Sequence, residues 1–159
     1  MHCGQAASVS REARYYEELP EVIVDSLEVH RCAACGESIV IRRLTSLRAA
    51  LRAALLQKHD RLTGEEIAFL RQSMGWMESD MARCLGADEE QIRSWERHEA
   101  PMDLKAERIF RLMVAAMKEV ALPIELVAAL SDQTAPLCAR ARLTPEGWVV
   151  EPEAKAIEL

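Results

Sequence analysis

Two cysteines three apart and followed by glycine, Cys32-Ala33-Ala34-Cys35-Gly36, have the form of a metal knuckle. Two thiolates at that spacing can bind one tetrahedral ion, and the glycine permits the turn that aims backbone N–H groups at sulfur. Structural zinc takes four ligands, so one knuckle supplies half of a site. The other early candidate is Cys3, which Gly4 follows as Gly36 follows Cys35. In that register Cys3 is the second cysteine of a knuckle whose first position precedes Met1. In the other register its partner position is Ala6, which cannot ligate. The metal set is therefore Cys3, Cys32 and Cys35, with zinc as the expected cofactor and one ligand missing from the chain. His2 and His30 are the imidazoles nearest the gap. The competing expectation is a knuckle that has lost its metal and persists as a tight turn. Five cysteines, an odd number without an export signal, suggest reduced thiols or metal ligands rather than disulfides. Cys84 and Cys138 are expected to be small apolar packing residues.

A second group of polar side chains falls between Glu78 and Arg97: Glu78, Glu89, Glu90, Gln91, Arg93, Ser94 and Arg97. Glutamate can accept a hydrogen bond from the exocyclic amine of cytosine, and arginine can hold phosphate. The same acids would also stabilise a helix start through capping and the helix dipole, by about 0.3–1 kcal/mol each. Arg93 and Arg97 lie four apart, on one helical face.

The elements that must position these residues are mostly helical. Leu44, Leu47, Leu51 and Leu55 mark a helix over 42–59. Thr63 and Glu66 form a capping box for a helix carrying Ile67, Leu70 and Met74. Glu78 to Leu85 forms another, packing Met81, Ala82 and Leu85. Gly86 supplies the turn, and Asp88 caps a third helix through Arg97, with Ile92 and Trp95 turned inward. Ile109, Leu112, Met113, Ala116, Met117 and Val120 make a 3.6-period stripe on a later helix. That stripe is either a dimer surface or packing against the module's own core. Residues 1–41 read as β-rich, with runs at Val22–Val24, Leu27 to Val29 and Ile39–Ile41, but with too little aliphatic mass for a large core. Arg140–Leu143 and Trp148–Val150 flank a terminal turn.

Composition sets the wider frame. The chain has 159 residues, 50% hydrophobic, 4% aromatic and 29% charged, which points to a mainly α, cytoplasmic protein. No run of about 20 apolar residues is present to span a membrane. The formal charge of −6 argues against nonspecific nucleic-acid binding by the whole surface. The one basic stretch runs from Arg42 to Arg61, with six basic residues against Asp60. It is either a solvated face or a source of phosphate contacts.

The segment Leu62–Met102, through Ala82, Leu85, Gly86, Ile92, Trp95 and Glu96, resembles the XRE (Cro-type) helix-turn-helix family. With the cysteine knuckle it is similar to the MqsA/YgiT-type group of antitoxin-like regulators. The resemblance implies an N-terminal domain that can bind zinc and, in antitoxins, a protein toxin. It also implies a C-terminal module that dimerises and binds a palindrome in double-stranded DNA. Carried over position by position, it gives Glu78 and Arg97 phosphate-contacting roles. Glu89 and Glu90 take base-contacting positions, with Gln91 beside them and Arg93 and Ser94 one turn on. Met77 stands where the family has a Ser/Thr cap, and His98 where a glycine commonly follows the third helix.

The expected architecture is a zinc-ribbon-like domain over 1–41, degenerate if the metal is lost, and a basic linker helix over 42–61. A five-helix lambda-repressor-like domain over 62–122 and an extension over 123–159 ending in a short hairpin tail complete it. The expected function is a homodimeric, sequence-specific transcriptional regulator, with antitoxin activity as one form of it. The alternative is a protein-interaction module whose acidic helix meets a basic partner. No nucleophile elbow or metal-base motif is present, so an enzyme is not expected.

Overall fold

The computed structural model describes residues 6–41 and 44–153. The chain divides into two compact units: Met1–Ala50 with Cys138–Leu159, and Leu51–Leu137.

The first unit is built on a five-stranded mixed sheet. β1 (Ala7–Tyr16) pairs antiparallel with β2 (Leu19–Cys32), the register running from Ala7 opposite Cys32 to Tyr16 opposite Leu19. One half of β2 takes β3 (Ser38–Ile41) antiparallel. The other half, Val22–Val24, takes β4 (Ala139–Thr144) in parallel, and β5 (Gly147–Pro152) closes an antiparallel hairpin with β4. Leu27, Val29 and Cys32 of β2 are buried, as are Val22, Ile23 and Val24. Ala139 and Ala141 of β4 and Leu47 of α1 (Leu44–Leu56) complete the buried set with Tyr16 and Leu19. The outer surface is laced by charge instead. Arg14 and Arg31 both donate to Glu12, at 2.7 and 3.1 Å, and Arg140 donates to Asp25 and Glu153, at 2.7 and 2.6 Å.

The second unit holds the C-terminal half of α1 and five further helices. These are α2 (Gly64–Ser73), α3 (Glu78–Leu85), α4 (Glu89–Glu96), α5 (Leu104–Met117) and α6 (Ile124–Ala128). The Thr63–Glu66 capping box forms, with the Thr63 N–H donating to Glu66 at 2.9 Å. Leu51, Leu55, Ile67, Phe69, Leu70, Met81, Ile92, Phe110 and Val114 are all at most 1% exposed and form the core. No helix among the described residues is long and apolar enough to cross a membrane.

The mainly α expectation is corrected by the sheet. Composition misled because β1 (ASVSREARYY) and β4 (ARARLT) are written in Arg, Ala and Glu, residues that favour helices in isolation. In the sheet those charges find partners instead: Glu12 of β1 pairs with Arg14 along the strand and with Arg31 across it, and Arg140 and Arg142 of β4 pair with Asp25 of β2. The terminal hairpin is not a tail: β4 is an interior strand beside β2. It supplies apolar mass that residues 1–41 lack, so the zinc-ribbon-like expectation gives way to a larger sheet with its own core. The five-helix lambda-repressor-like arrangement is corrected too. α6 spans only five residues, and beyond it Thr134 bridges in parallel to Arg61 rather than continuing a bundle.

Candidate nucleic-acid interface

α3 and α4 are joined by a tight turn whose geometry follows from two small residues. Gly86 adopts a left-handed backbone with φ 66°, which glycine reaches without steric cost. The Ala87 N–H then donates to the Ala82 carbonyl at 3.0 Å, closing the end of α3. Asp88 caps α4 by accepting from the Gln91 N–H at 2.7 Å. Ile92 and Trp95 are buried beneath it. A fork from Arg71 on α2 fixes the far end of α4: its Nε and Nη2 donate to the two carboxylate oxygens of Glu96 at 2.6 and 2.9 Å. The third donor of Arg71 reaches the Trp76 carbonyl at 2.8 Å, so the same side chain also holds the α2–α3 turn. Sequence reading placed Glu96 in the module but missed Arg71, whose partner lies 25 residues away.

The structure brings five of the seven sequence-predicted residues onto the open side of α4: Glu89, Glu90, Gln91, Ser94 and Arg97, with Ser94 only half-exposed. Glu78 and Arg93 meet beside them. Arg93 is the centre of the charge arrangement. Its guanidinium donates to Glu78 at 2.9 Å and to Glu90 at 3.1 Å, and lies 3.6 Å from Glu89. Hydrogen bonds to Glu78 and then Glu90 hold its pKa above the ordinary arginine value. One cation thus ties three carboxylates together and links α3 to α4. Arg97 is exposed and makes no ion pair among the described residues. An open groove of about 630 Å³ runs beside α4, lined by Asp88, Glu90, Gln91 and Ser94 on one side and by Pro101 to Leu104 on the other.

His98, just beyond α4, adopts a left-handed backbone with φ 60°. Its ring contacts Glu65 at 2.8 Å. Burial alone would raise the Glu65 carboxyl, but hydrogen bonds from its own backbone, from His98 and from Thr63 outweigh it and hold the group below the usual range.

The basic stretch before the module is largely committed to ion pairs. Arg48 donates to Glu18 and the Tyr16 hydroxyl, Lys58 to Glu66, and Arg61 to Glu107 at 2.6 Å. Lys58 and Arg61 are largely buried, at 8% and 13% side-chain exposure, so they are not a phosphate-binding face. Arg42 and Arg43 lie outside the described residues. A run of cations read from sequence carries no sign of whether an acid waits 8 or 46 residues further on.

At the cysteines, Cys32 ends β2 and is buried, while Cys35 is exposed. Gly36 is left-handed at φ 72° and its N–H donates to the Cys32 carbonyl at 2.9 Å, so the knuckle turn is present. His30 is engaged by Glu28 at 2.7 Å. Cys3 and His2 lie outside the described residues, and no group of three metal-ligating side chains occurs among the described ones. Cys84, expected to pack inside, is exposed on α3, and Cys138 is half-buried.

Comparisons of the chain with protein-family models, with curated proteins and with solved structures find no match.

Proposed function

We propose that the chain is a sequence-selective regulator that binds palindromic double-stranded DNA as a dimer, with α4 as the reading helix. The observation that carries the reading is the α3–Gly86–α4 pair. It is fixed from below by Ile92 and Trp95 and from α2 by the Arg71–Glu96 fork, and it leaves Glu89, Glu90, Gln91 and Arg97 outward. A helix held this rigidly at both ends can enter a major groove without reordering. Gln91 has the donor–acceptor pair that suits adenine, and the carboxylates suit the cytosine amine. Arg97 is the available phosphate contact.

Affinity is held down by charge. The unit Leu51–Leu137 has 11 basic and 15 acidic residues, and Arg93 is occupied by its three carboxylates. Specific binding to a labelled fragment of the protein's own upstream region is expected at low salt, falling steeply as salt rises. The double variant Glu89→Gln/Glu90→Gln is expected to bind tighter, by up to about thirtyfold at up to about 1 kcal/mol per acid in a water-like dielectric. It should also discriminate less between sequences. Absence of specific binding by both versions at low salt would overturn the DNA reading.

The saturation of Arg93 favours a second reading, in which the acidic face of α3 and α4 meets a basic protein, including a toxin encoded alongside. Recovery of a stable protein partner that DNA cannot displace supports it, and displacement of that partner by DNA counts against it.

The same proposal assigns zinc to the Cys32–Cys35 turn together with Cys3. About one equivalent per chain by elemental analysis, lost in Cys32→Ser/Cys35→Ser, is the expected result. No zinc after expression in zinc-supplemented medium would remove the metal from the reading.

A further inference from the structure

Trp95 holds α4 against its unit and is buried, at 4% exposure. An indole nitrogen can only donate, and a buried tryptophan N–H usually finds an acceptor. This one donates to no group among the described residues. Nor is it sealed from the surface, as the unpartnered indole nitrogen of Trp148 is. Trp95 lines a hollow of about 240 Å³ at the junction of α2 and α4, walled by Leu62, Ile67, Pro101 and Met102. No acid, lysine or arginine is among its lining residues. His98 stands at its edge, with its ring turned to Glu65 at 2.8 Å. The walls are already in place: Leu62, Ile67 and Met102 are buried, and the Arg71–Glu96 fork fixes the end of α4.

We propose that this hollow binds a small neutral carbonyl compound with an apolar body, its oxygen accepting from the Trp95 N–H. The chemistry of the walls selects that class. A donor without a partner calls for an acceptor on the ligand, and the Leu62, Ile67, Pro101 and Met102 walls call for a hydrocarbon body beside it. A charged ligand is excluded, because no lining lysine, arginine or acid would offset its desolvation and His98 already faces Glu65. The size follows from the volume. At about 30 Å³ per water the hollow holds roughly eight waters, and it falls below the roughly 300–1,000 Å³ of drug-sized sites, so the body is a single ring. The larger groove that Trp95 also lines is the poorer place for such a molecule, since it carries Asp88, Glu90 and Asp103. The hollow lies at the buried side of α4 and not on its outward face, so this inference does not rest on DNA recognition.

Titration of the isotope-labelled full chain with acetophenone, followed on the indole N–H resonances, tests this. Of the three tryptophans, Trp95 alone should respond. Its proton should move downfield and saturate with a Kd of about 1 mM, the weak affinity of a one-ring ligand. Benzoate, with the same ring and a full negative charge, should bind at least about tenfold more weakly. Thr134 is exposed at the rim, so Thr134→Phe should fill the hollow and abolish the shift while unfolding at the wild-type temperature. Trp95→Phe keeps a ring and removes the donor, and should weaken binding about fivefold when read on the Ile67 methyl signals. A Trp95 resonance that does not move, or never saturates, overturns the site. Benzoate binding as tightly as acetophenone overturns the neutral class. An undiminished response in Thr134→Phe places the probe outside the hollow, and an unchanged Kd in Trp95→Phe removes the donor role. Where Trp95→Phe fails to fold, Thr134→Phe and benzoate still decide.

Discussion

Glu107→Ala is expected to remove about 3–5 kcal/mol from the helical unit, the largest loss of any single change considered. Glu107 and Arg111 are both fully buried, and Glu107 is the only acid that either Arg61 or Arg111 contacts among the described residues. One Glu107 oxygen accepts from Arg61 at 2.6 Å. The other accepts from the Leu62 N–H at 3.0 Å and from Arg111 at 2.9 and 3.1 Å. Arg111 in turn donates to the carbonyls of Lys58 and Asp60 at 2.6 and 2.7 Å and to those of Leu55 and Leu56 at 3.4 Å. Those carbonyls lie at and beyond the C-terminal end of α1, where a helix leaves acceptors without intrahelical partners. Removing the carboxylate strands two guanidinium ions in the core, a change of about 3–5 kcal/mol against a total stability of about 5–15 kcal/mol. In urea the midpoint should fall by about 2–3 M, taking a slope near 1.5 kcal/mol/M. Replacing both members by Leu and Met, neutral for many buried pairs, should not rescue this one, because four carbonyls and the Leu62 N–H would lose their partners. A midpoint within about 0.3 M of wild type would show that water reaches the cluster.

None of that cluster is visible in the sequence. Glu107 and Arg111 are four apart on a helix and read as a solvated surface pair worth a few tenths of a kcal/mol. Burial reverses the reading, and burial here comes with the end of α1 lying against Arg111, whose donors reach the carbonyls of Leu55, Leu56, Lys58 and Asp60. Local signals fared better. Thr63 with Glu66, Gly86, Asp88, and the inward Ile92 and Trp95 are each decided within one or two turns of helix, and each occupies the place the spacing predicts. The parallel pairing of Val22–Val24 with Ala139–Ala141 spans more than a hundred residues, and no periodicity encodes a partner at that range. β1 failed for a different reason: Glu12 and Arg14 are half-buried while Val9 and Tyr15 are exposed, so its alternation is not apolar against polar.

The candidate interface divides along the same line. The residues that point outward from α4 follow from helical geometry alone, and they are where the register puts them. What the sequence could not show is how their charges are spent. Arg93 looked like a counterweight to Glu89 and Glu90, available to phosphate. It is instead their partner, shared with Glu78 across the turn. A phosphate approaching the acidic first turn must therefore displace a carboxylate from Arg93.

Gly64→Ala should destabilise the helical unit by about 2–3 kcal/mol, although propensity alone predicts a gain. Alanine at the first turn of a helix ordinarily adds up to about 1 kcal/mol over glycine. At Gly64 a Cβ would stand 2.3 Å from the Glu96 carbonyl oxygen and 2.9 Å from that of Trp95. Both are backbone atoms, so no rotamer change relieves the contact. Either α2 must lift from the end of α4 or α4 must move. α4 is held by the Arg71–Glu96 fork and by Trp95 and Ile92 beneath it, so the strain is shared by the whole α2–α4 junction. Overpacking of a tight site costs about 1–3 kcal/mol, occasionally more, and here it must first cancel the propensity gain. Gly86→Ala is the informative comparison, since its left-handed φ penalises alanine while open space surrounds its Cβ. Its loss should stay near the 1–2 kcal/mol of that backbone alone. Thermal and urea unfolding of the two variants should therefore rank Gly64→Ala as the weaker protein. Because the displaced element is α4, DNA or protein binding should also fall in Gly64→Ala at temperatures where it remains folded. A variant as stable as wild type would mean that the α2–α4 junction opens freely, and that α4 is not the rigidly presented helix the proposed function requires.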